Sequence, residues 1–347
     1  MANNKELPKI SILIPCRNEE DYIANCIQAI LDSDYPEEKK EIIVADGESD
    51  DNTLIIAKEF ESNHRSVKVF NNPKKILAAG WNIGIRNSTG DILIAANAHA
   101  MIESSHLIEC VENLDNTDAD CVGPALVTHP QDKNLLGKSI ATMMSHPFGV
   151  GDSTFRTGTS SEEPVWVDTL HLGAYKKEVF EKIGLYNEEL TRSQDKELHN
   201  RLLKFGFKML LVPTIKVHYY TRSNPKGFFQ YGFLNGYWVS KPWSLGTSIA
   251  SLRHLVPMFF VITLILSFSF SFINFFLIFI FFTALISYLS LVVIASLHVV
   301  SQKKDIRYLI TMPLVFCTYH ITYGLGTTYG AILSIFSKRA WGLITNK

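Results

Sequence analysis

Between Leu255 and Gln302 the sequence has 48 residues without one Asp, Glu, Lys or Arg, and a second charge-free run of 30 residues extends from Tyr308 to Ser337. Ten of the 22 phenylalanines lie in the first run. Apolar stretches of this length exclude a purely soluble chain and predict a membrane anchor behind a soluble-type domain. Cysteine is scarce as well: five residues, at 16, 26, 110, 121 and 317, an odd number with no Cys-x-x-Cys pair. That argues against a disulfide scaffold or a cysteine zinc site and fits a reducing compartment. There is no P-loop, no Gly-x-Gly-x-x-Gly and no long basic tract, so nucleic-acid binding has no support. The start, MANNKELPK, is polar and lacks the apolar core of a signal peptide.

The charge that is present is unevenly placed. Residues 1–254 carry 27 basic and 33 acidic side chains, net −6, whereas residues 255–347 carry six and one, net +5. Arg253 precedes the first apolar run, Lys303, Lys304 and Arg307 separate the two runs, and Lys338 and Arg339 follow the second. The positive-inside rule puts these groups on the cytoplasmic face. The expected location is therefore the plasma (cytoplasmic) membrane, with the large domain cytosolic. As one helix the first run would be about 72 Å long, against a hydrocarbon core of about 30 Å. It reads as a hairpin over about residues 255–300, turning near Ser267–Asn274. The third segment, about 308–337, is interrupted by Pro313, Gly324, Gly326 and Gly330. A single span there would put Lys338 and Arg339 outside, so a broken, re-entrant or interfacial pair of helices is the expectation.

The first 100 residues alternate β-branched runs with amphipathic ones. Ile10–Ile14, Glu41–Val44, Val67–Phe70 and Asp91–Ala95 read as strands, and Glu20–Leu31, Asp51–Phe60 and Ile76–Arg86 as helices. Alternation at this pitch predicts βαβ units, hence an α/β domain with a parallel sheet covered on both faces. Ligands of such sheets bind at the carboxyl ends of the strands. Those ends read Pro15-Cys-Arg-Asn-Glu19, Asp46-Gly-Glu-Ser-Asp50 and Asn97-Ala-His99, all polar and two of them acidic.

The segment Ile10-Ser-Ile-Leu-Ile-Pro-Cys-Arg-Asn-Glu19, followed by Ile42-Ile-Val-Ala-Asp-Gly-Glu-Ser-Asp-Asp51, resembles the opening of family-2 glycosyltransferases with a GT-A fold, the Rossmann-like fold of nucleotide-diphospho-sugar transferases. Ser145–Gly151, Val167–Thr169, Gly173–Phe180, Ser193–Leu198 and Gln230–Trp238 resemble the succinoglycan-biosynthesis-type, membrane-anchored branch. The resemblance implies that Asp46 contacts the nucleotide base or ribose, with Glu19 and Pro15 shaping the same pocket. A carboxylate there can accept from a uracil N–H or a ribose hydroxyl; the alternative is a turn Asp capping the next helix, a task Asp50 and Asp51 suit better. Asn97-Ala-His99 stands where the family carries a metal motif, Asp-x-Asp or Asp-x-His, that holds a divalent cation, Mn2+ or Mg2+. Asn97 replaces the first Asp by a weaker neutral ligand, and His99 suits Mn2+ better than Mg2+.

Inverting sugar transfer needs a base for the attacking acceptor hydroxyl. In the family that base is an Asp in a Glu-Asp or Gln-Asp pair at a helix start, and Gln194-Asp195 is that pair here. A helix N-terminus would also hold Asp195 ionised. Glu197 is the second candidate. Asp168 lies near acceptor or metal, or is an ordinary turn carboxylate. Arg156 can chelate a diphosphate in bidentate fashion, or is simply a solvated surface residue. The stretch Ser145–Arg156 reads as a loop folding over the substrate. The aromatic run Phe228-Phe-Gln-Tyr231, Tyr237-Trp238 and Trp243 reads as an interfacial helix, in which Gln230 either closes over the site or packs. Small-residue helix packing accounts for Tyr323-Gly-Leu-Gly326.

These readings combine into a GT-A domain over residues 1–250 and a membrane domain over residues 251–347. The expected activity is inverting transfer from a nucleotide sugar, a UDP-sugar first, to a lipid-linked saccharide in cell-surface polysaccharide synthesis. Two alternatives stay open: transfer to polyprenyl phosphate itself, and a nonenzymatic scaffold with a decayed metal site.

Overall fold

A computed structural model describes residues 6–151, 153–159, 161–221, 224–245 and 252–337. In chain order the elements begin β1 (Ile10–Cys16), α1 (Ile23–Leu31), β2 (Lys40–Asp46), α2 (Thr53–Asn63), β3 (Val67–Asn71), α3 (Leu77–Asn87), β4 (Ile92–Ala95), β5 (Ala100–Ile102), α4 (His106–Asn116) and β6 (Cys121–Pro130). There follow α5 (Leu135–Met144), α6 (Pro147–Val150), α7 (Thr154–Thr157), β7 (Val165–Val167), β8 (Ala174–Lys176), α8 (Lys177–Ile183), α9 (Gln194–Lys204) and β9 (Met209–Thr221). The chain ends in four long helices, α10 (Pro225–Ser240), α11 (Leu252–Phe270), α12 (Phe276–Lys303) and α13 (Tyr308–Ile335). They form two compact units, residues 1–127 with 154–220 and residues 128–153 with 221–347.

In the first unit β1 and β2 are buried along their whole length, as central strands covered on both faces must be. Strand periodicity then sorts the side chains. Ile10, Ile12 and Ile14 pack one face against Ile23, Ile27 and Ile30 of α1. Leu13 points the other way, into a core shared with Trp81 of α3 and with Leu198 and Leu202 of α9. Lys40 closes α1 by donating to the carbonyls of Ile30 (3.0 Å) and Leu31 (2.7 Å), a cation at a helix C-terminus.

The strand order is β3-β2-β1-β4-β8-β6-β9-β5, with β7 on β9. The first four strands are parallel, as expected, and their register sets Cys16 beside Asp46 and Asp46 beside Asn71. Beyond β4 the sheet is mixed: β8 runs antiparallel to both β4 and β6, and β5 and β7 antiparallel to β9. The expectation of a parallel sheet therefore holds for only half of it. The strands that complete it include three of three residues each, β5, β7 and β8, too short for any periodicity to reveal. This is a GT-A-like mixed sheet with helices on its faces.

In the second unit α11 and α12 are the two described helices long and apolar enough to cross a membrane, and they turn at residues 271–275, within the segment expected for the hairpin. Only 17% and 6% of the most apolar stretch of each is buried, so neither is the core helix of a soluble protein. Phe259, Phe268, Phe270, Phe276, Phe279 and Phe282 stay exposed along them. The third apolar segment corrects the sequence reading: it is one continuous 28-residue helix, α13, with Pro313 inside it. Pro313 lies early in the helix and removes a single backbone donor. The glycines do not break the helix, because they are where other helices approach it. A Cβ on Gly326 would meet the Phe233 carbonyl of α10, and one on Gly236 of α10 the Tyr323 carbonyl. Small residues at such contacts let backbones come close where lipid offers no hydrophobic drive. Tyr323-Gly-Leu-Gly326 is thus a packing motif. α10 packs Phe228 and Val239 against α13, so its aromatics are partly core, and Gln230 is exposed on it.

Candidate active site

The carboxyl ends of β1 and β2 lie side by side and their loops are laced together. The Asn18 amide donates to Ser49 Oγ (3.0 Å), Asn18 Oδ1 accepts from the Asp50 amide (2.9 Å), and the Glu19 amide donates to Thr53 Oγ1 (2.7 Å). Asp46, at the end of β2, is buried and accepts from the Ser49 amide (3.1 Å) and Ser49 Oγ (2.6 Å). Its two oxygens retain lone pairs for a further donor. Asp51, as expected, does the helix-start work, accepting from the Thr53 amide at 3.0 Å. Asp50 does not; it pairs with Arg17 at 3.3 Å. Pro15 is buried under α3, where a Cβ on Gly80 would stand 2.6 Å from the Pro15 Cβ. The glycine lets α3 sit directly on the strand end.

Asn97 and His99 are half-buried, between buried Ala96, Ala98 and Ala100. They do not lie on an extended strand end, as the sequence suggested, but in a tight turn closed by the Ala100 amide on the Asn97 carbonyl (2.9 Å). The turn brings His99 to Glu19, with Nδ1 3.1 Å from Oε1. A carboxylate on one ring nitrogen leaves Nε2 for a ligand, the arrangement that commonly orients metal-binding histidines. Among the described residues no three His, Cys, Asp or Glu side chains converge to hold a metal ion. The donor set fits a cation only as a shared site, with one or two protein groups and the remaining ligands from substrate phosphates.

Asp195 occupies the second position of α9, behind Ser193 in the left-handed region (φ 60°). Leu172, beside His171, is also left-handed (φ 54°), as are Asn18, Glu48 and Lys75 on the nucleotide-side loops. Such strain in non-glycine residues collects at functional sites. His199 anchors α9 from below: it is buried, its Nδ1 accepts from the Leu170 amide (3.5 Å), and its Nε2 lies 2.9 Å from the Tyr175 hydroxyl. Burial pulls its pKa down to about 3, so it is neutral.

The Asp195 side chain keeps about a third of its surface open (35%), yet burial pushes its pKa up to about 6. The two facts agree for a carboxylate wetted on one part of its surface and surrounded by protein on the rest. The expectation that the helix N-terminus holds it ionised is corrected: desolvation outweighs the dipole. His171 stands close by, with Nδ1 4.0 Å from Oδ2. Glu197 is not a competing base, because Arg201 holds it at 2.7 and 2.9 Å. Asp168 is exposed just after β7.

Around the Tyr219 ring gather His99 (5.8 Å between centroids), His171 (6.2 Å) and the Arg156 guanidinium (5.3 Å). Arg156 also lies 5.6 Å from the centre of Phe155, which stacks on His171. Sequence reasoning named Arg156 and His99 but missed His171, His199 and Tyr219. For His171 the signal was its place three residues after Asp168; Tyr219, on β9, gave none.

A family description, glycosyl transferase family 2, matches residues 11–184. The dolichyl N-acetyl-alpha-D-glucosaminyl phosphate 3-beta-D-2,3-diacetamido-2,3-dideoxy-beta-D-glucuronosyltransferase of Methanococcus voltae is 32% identical over 242 residues, 67% of this chain and 74% of the relative. Succinoglycan biosynthesis protein ExoA of Rhizobium meliloti (strain 1021) is 28% identical over 249 residues, 71% of this chain and 74% of that protein. Among solved structures, the mannosyltransferase PcManGT from Pyrobaculum calidifontis in complex with GDP-Man and Mn2+ superposes with a TM-score of 0.56 at 16% identity. It covers 92% of this chain and 88% of its own, a likeness of fold.

Proposed function

The chain belongs to glycosyl transferase family 2, and from that premise we propose that it transfers a sugar, with inversion, from a UDP-sugar to a lipid-linked saccharide at the cytoplasmic face of the plasma membrane. Membership in a family of transferases sets the scaffold alternative aside. The observation that carries the mechanism is Asp195: a carboxylate open to one side, without a Lys or Arg partner among the described residues, whose pKa of about 6 suits a base near neutral pH.

In this reading Asp46 accepts from the uracil or ribose, Pro15 shapes the same pocket, and Glu19 commits Oε1 to His99 and leaves Oε2 to the nucleoside. Asp195 takes the proton of the acceptor hydroxyl as its oxygen bonds to the anomeric carbon, and the bond from that carbon to the diphosphate breaks with its electron pair. The charge left on the diphosphate falls to Arg156. A divalent cation, Mn2+ rather than Mg2+ given an imidazole ligand, would be held by His99 Nε2 and Asn97 Oδ1 and would neutralise phosphate charge. Residues 1–250 carry the chemistry and residues 251–347 the anchor, which confines the enzyme to the surface where a lipid-linked acceptor lies. A saccharide acceptor is favoured over bare polyprenyl phosphate because the Methanococcus voltae relative is named for a dolichyl N-acetyl-glucosaminyl phosphate.

The test is transfer by the full chain in detergent, from a panel of UDP-sugars, with Mn2+ or with chelator. Asp195→Asn is expected to slow turnover by about 10²–10⁴-fold while donor affinity stays within about threefold. Undiminished transfer by that variant removes Asp195 as the base; no turnover of any nucleotide sugar by the wild type removes the activity.

A further inference from the structure

Three buried polar atoms around this site have no hydrogen-bond partner among the described residues: the Gln194 Oε1 acceptor beside Asp195, and Arg156 Nη1 and His171 Nε2. The Arg156 and His171 side chains lie against the same Tyr219 ring, with His99 on that ring as well. We propose that Arg156 and His171 form a two-donor oxyanion subsite, framed by Tyr219 and Phe155, that binds an anionic oxygen of the donor between His99 and Asp195. The inference rests on the transferase reading above and deepens it by naming the chemistry that the subsite selects.

A buried donor left without a partner is costly, and in native structures such groups usually mark an absent ligand or water. Here two occur together, on side chains from separate parts of the chain, so one ligand with acceptor oxygens would satisfy both. The cation decides its sign. Arg156 has no carboxylate partner among the described residues; its guanidinium is instead fixed flat against Tyr219 and Phe155, which sets the direction of its N–H groups. A solvated surface arginine would not present a buried Nη1. His171 adds a donor without adding charge: burial, then Arg156 and His99, lower its pKa to about 3. Its Nδ1 stands 4.0 Å from Asp195, too far for a hydrogen bond, so the ring can carry its proton on Nε2.

Two donor groups offer such oxygens: the diphosphate, and the carboxylate of a uronic-acid sugar. Dissociation constants measured on the full chain in detergent, for uridine, UDP, UDP-glucose and UDP-glucuronic acid, separate them. Arg156→Gln and His171→Phe are the variants; the latter keeps the ring stack and removes the donor. If the oxygen is a phosphate oxygen, both variants weaken UDP and both UDP-sugars by about tenfold or more and leave uridine unchanged. If it is the sugar carboxylate, the loss is confined to UDP-glucuronic acid. Arg156→Lys restores part of the affinity in either case. Unchanged affinity for all three diphosphates in both variants, with uridine still bound, overturns the subsite and leaves the transferase reading standing. Failure of the wild type to bind any of the four overturns both together.

Discussion

At the scale of single residues, Asp195 and Glu197 show how little a side chain's identity fixes its role. Both are acids in the first turn of α9. Arg201 neutralises Glu197 at 2.7 Å, and the geometry leaves Asp195 without a Lys or Arg partner among the described residues and partly desolvated. The raised pKa has two consequences with opposite signs for activity and stability. As a base, Asp195 must be ionised, so kcat/KM is expected to rise about tenfold per pH unit up to about pH 6 and then level off. In folding, a carboxyl whose folded pKa lies above its unfolded value binds its proton more tightly in the native state. Its favourable contribution is complete below the unfolded pKa and is lost as pH rises through about 6. Asp195→Asn should therefore raise the Tm at pH 8, by an amount that fades towards pH 4. Thermal unfolding in detergent at the two pH values checks this; an equal or larger gain at pH 4 would contradict the assigned shift.

At the scale of elements, the glycines of α10 and α13 carry a prediction of their own. A Cβ at Gly236 would fall on the Tyr323 carbonyl oxygen, and backbone atoms cannot step aside as a flexible side chain can. Gly236→Ala is expected to lower the stability of the second unit by about 1–3 kcal/mol through overpacking. Gly206, left-handed (φ 82°) and with open space around it, is the contrast: Gly206→Ala should cost through its backbone alone, by about 1–2 kcal/mol. Unfolding of the two variants followed by Trp fluorescence separates the mechanisms, and an unaltered Gly236→Ala would show that α10 and α13 do not meet this closely. The glycines also mark the limit of sequence reading. In α13 they looked like breaks, because the helices that need them, α10 and α11, are more than 60 residues away in sequence. The β1–β4 half of the sheet was legible from runs of Ile and Val with fixed period. Of the other five strands, β5, β7 and β8 were not, because three-residue strands owe their existence to neighbours. The same holds for the site: Asp46 and Asp195 stood in local motifs, whereas the Glu19–His99 pair and the grouping around Tyr219 arise only from folding.

At the scale of the whole molecule, the uneven charge makes the orientation testable. α11 carries Arg253 and His254 in its first turn, and α12 ends in His298, Ser301, Gln302 and Lys303. From Phe276 to Leu297 is 22 residues, about 33 Å of helix, which matches a hydrocarbon core of about 30 Å. The polar last turn of α12 then emerges on the same side as the start of α11, and the 271–275 turn emerges on the other. With the basic groups inside, Phe272→Cys should react with a membrane-impermeant thiol reagent in intact cells, and Lys303→Cys only after permeabilisation. Both positions are exposed on the protein, and of the native cysteines four are buried, so replacing Cys317 with Ser clears the background. The reverse pattern would invert the anchor and put its basic loop on the far side from a nucleotide-sugar supply. Labelling of neither site in intact cells, with both labelled after permeabilisation, would mean that the hairpin lies on the membrane without crossing it. The enzyme would then reach a lipid-linked acceptor by surface binding alone, and its affinity for vesicles should respond to anionic lipid and to salt, as that of a spanning hairpin would not.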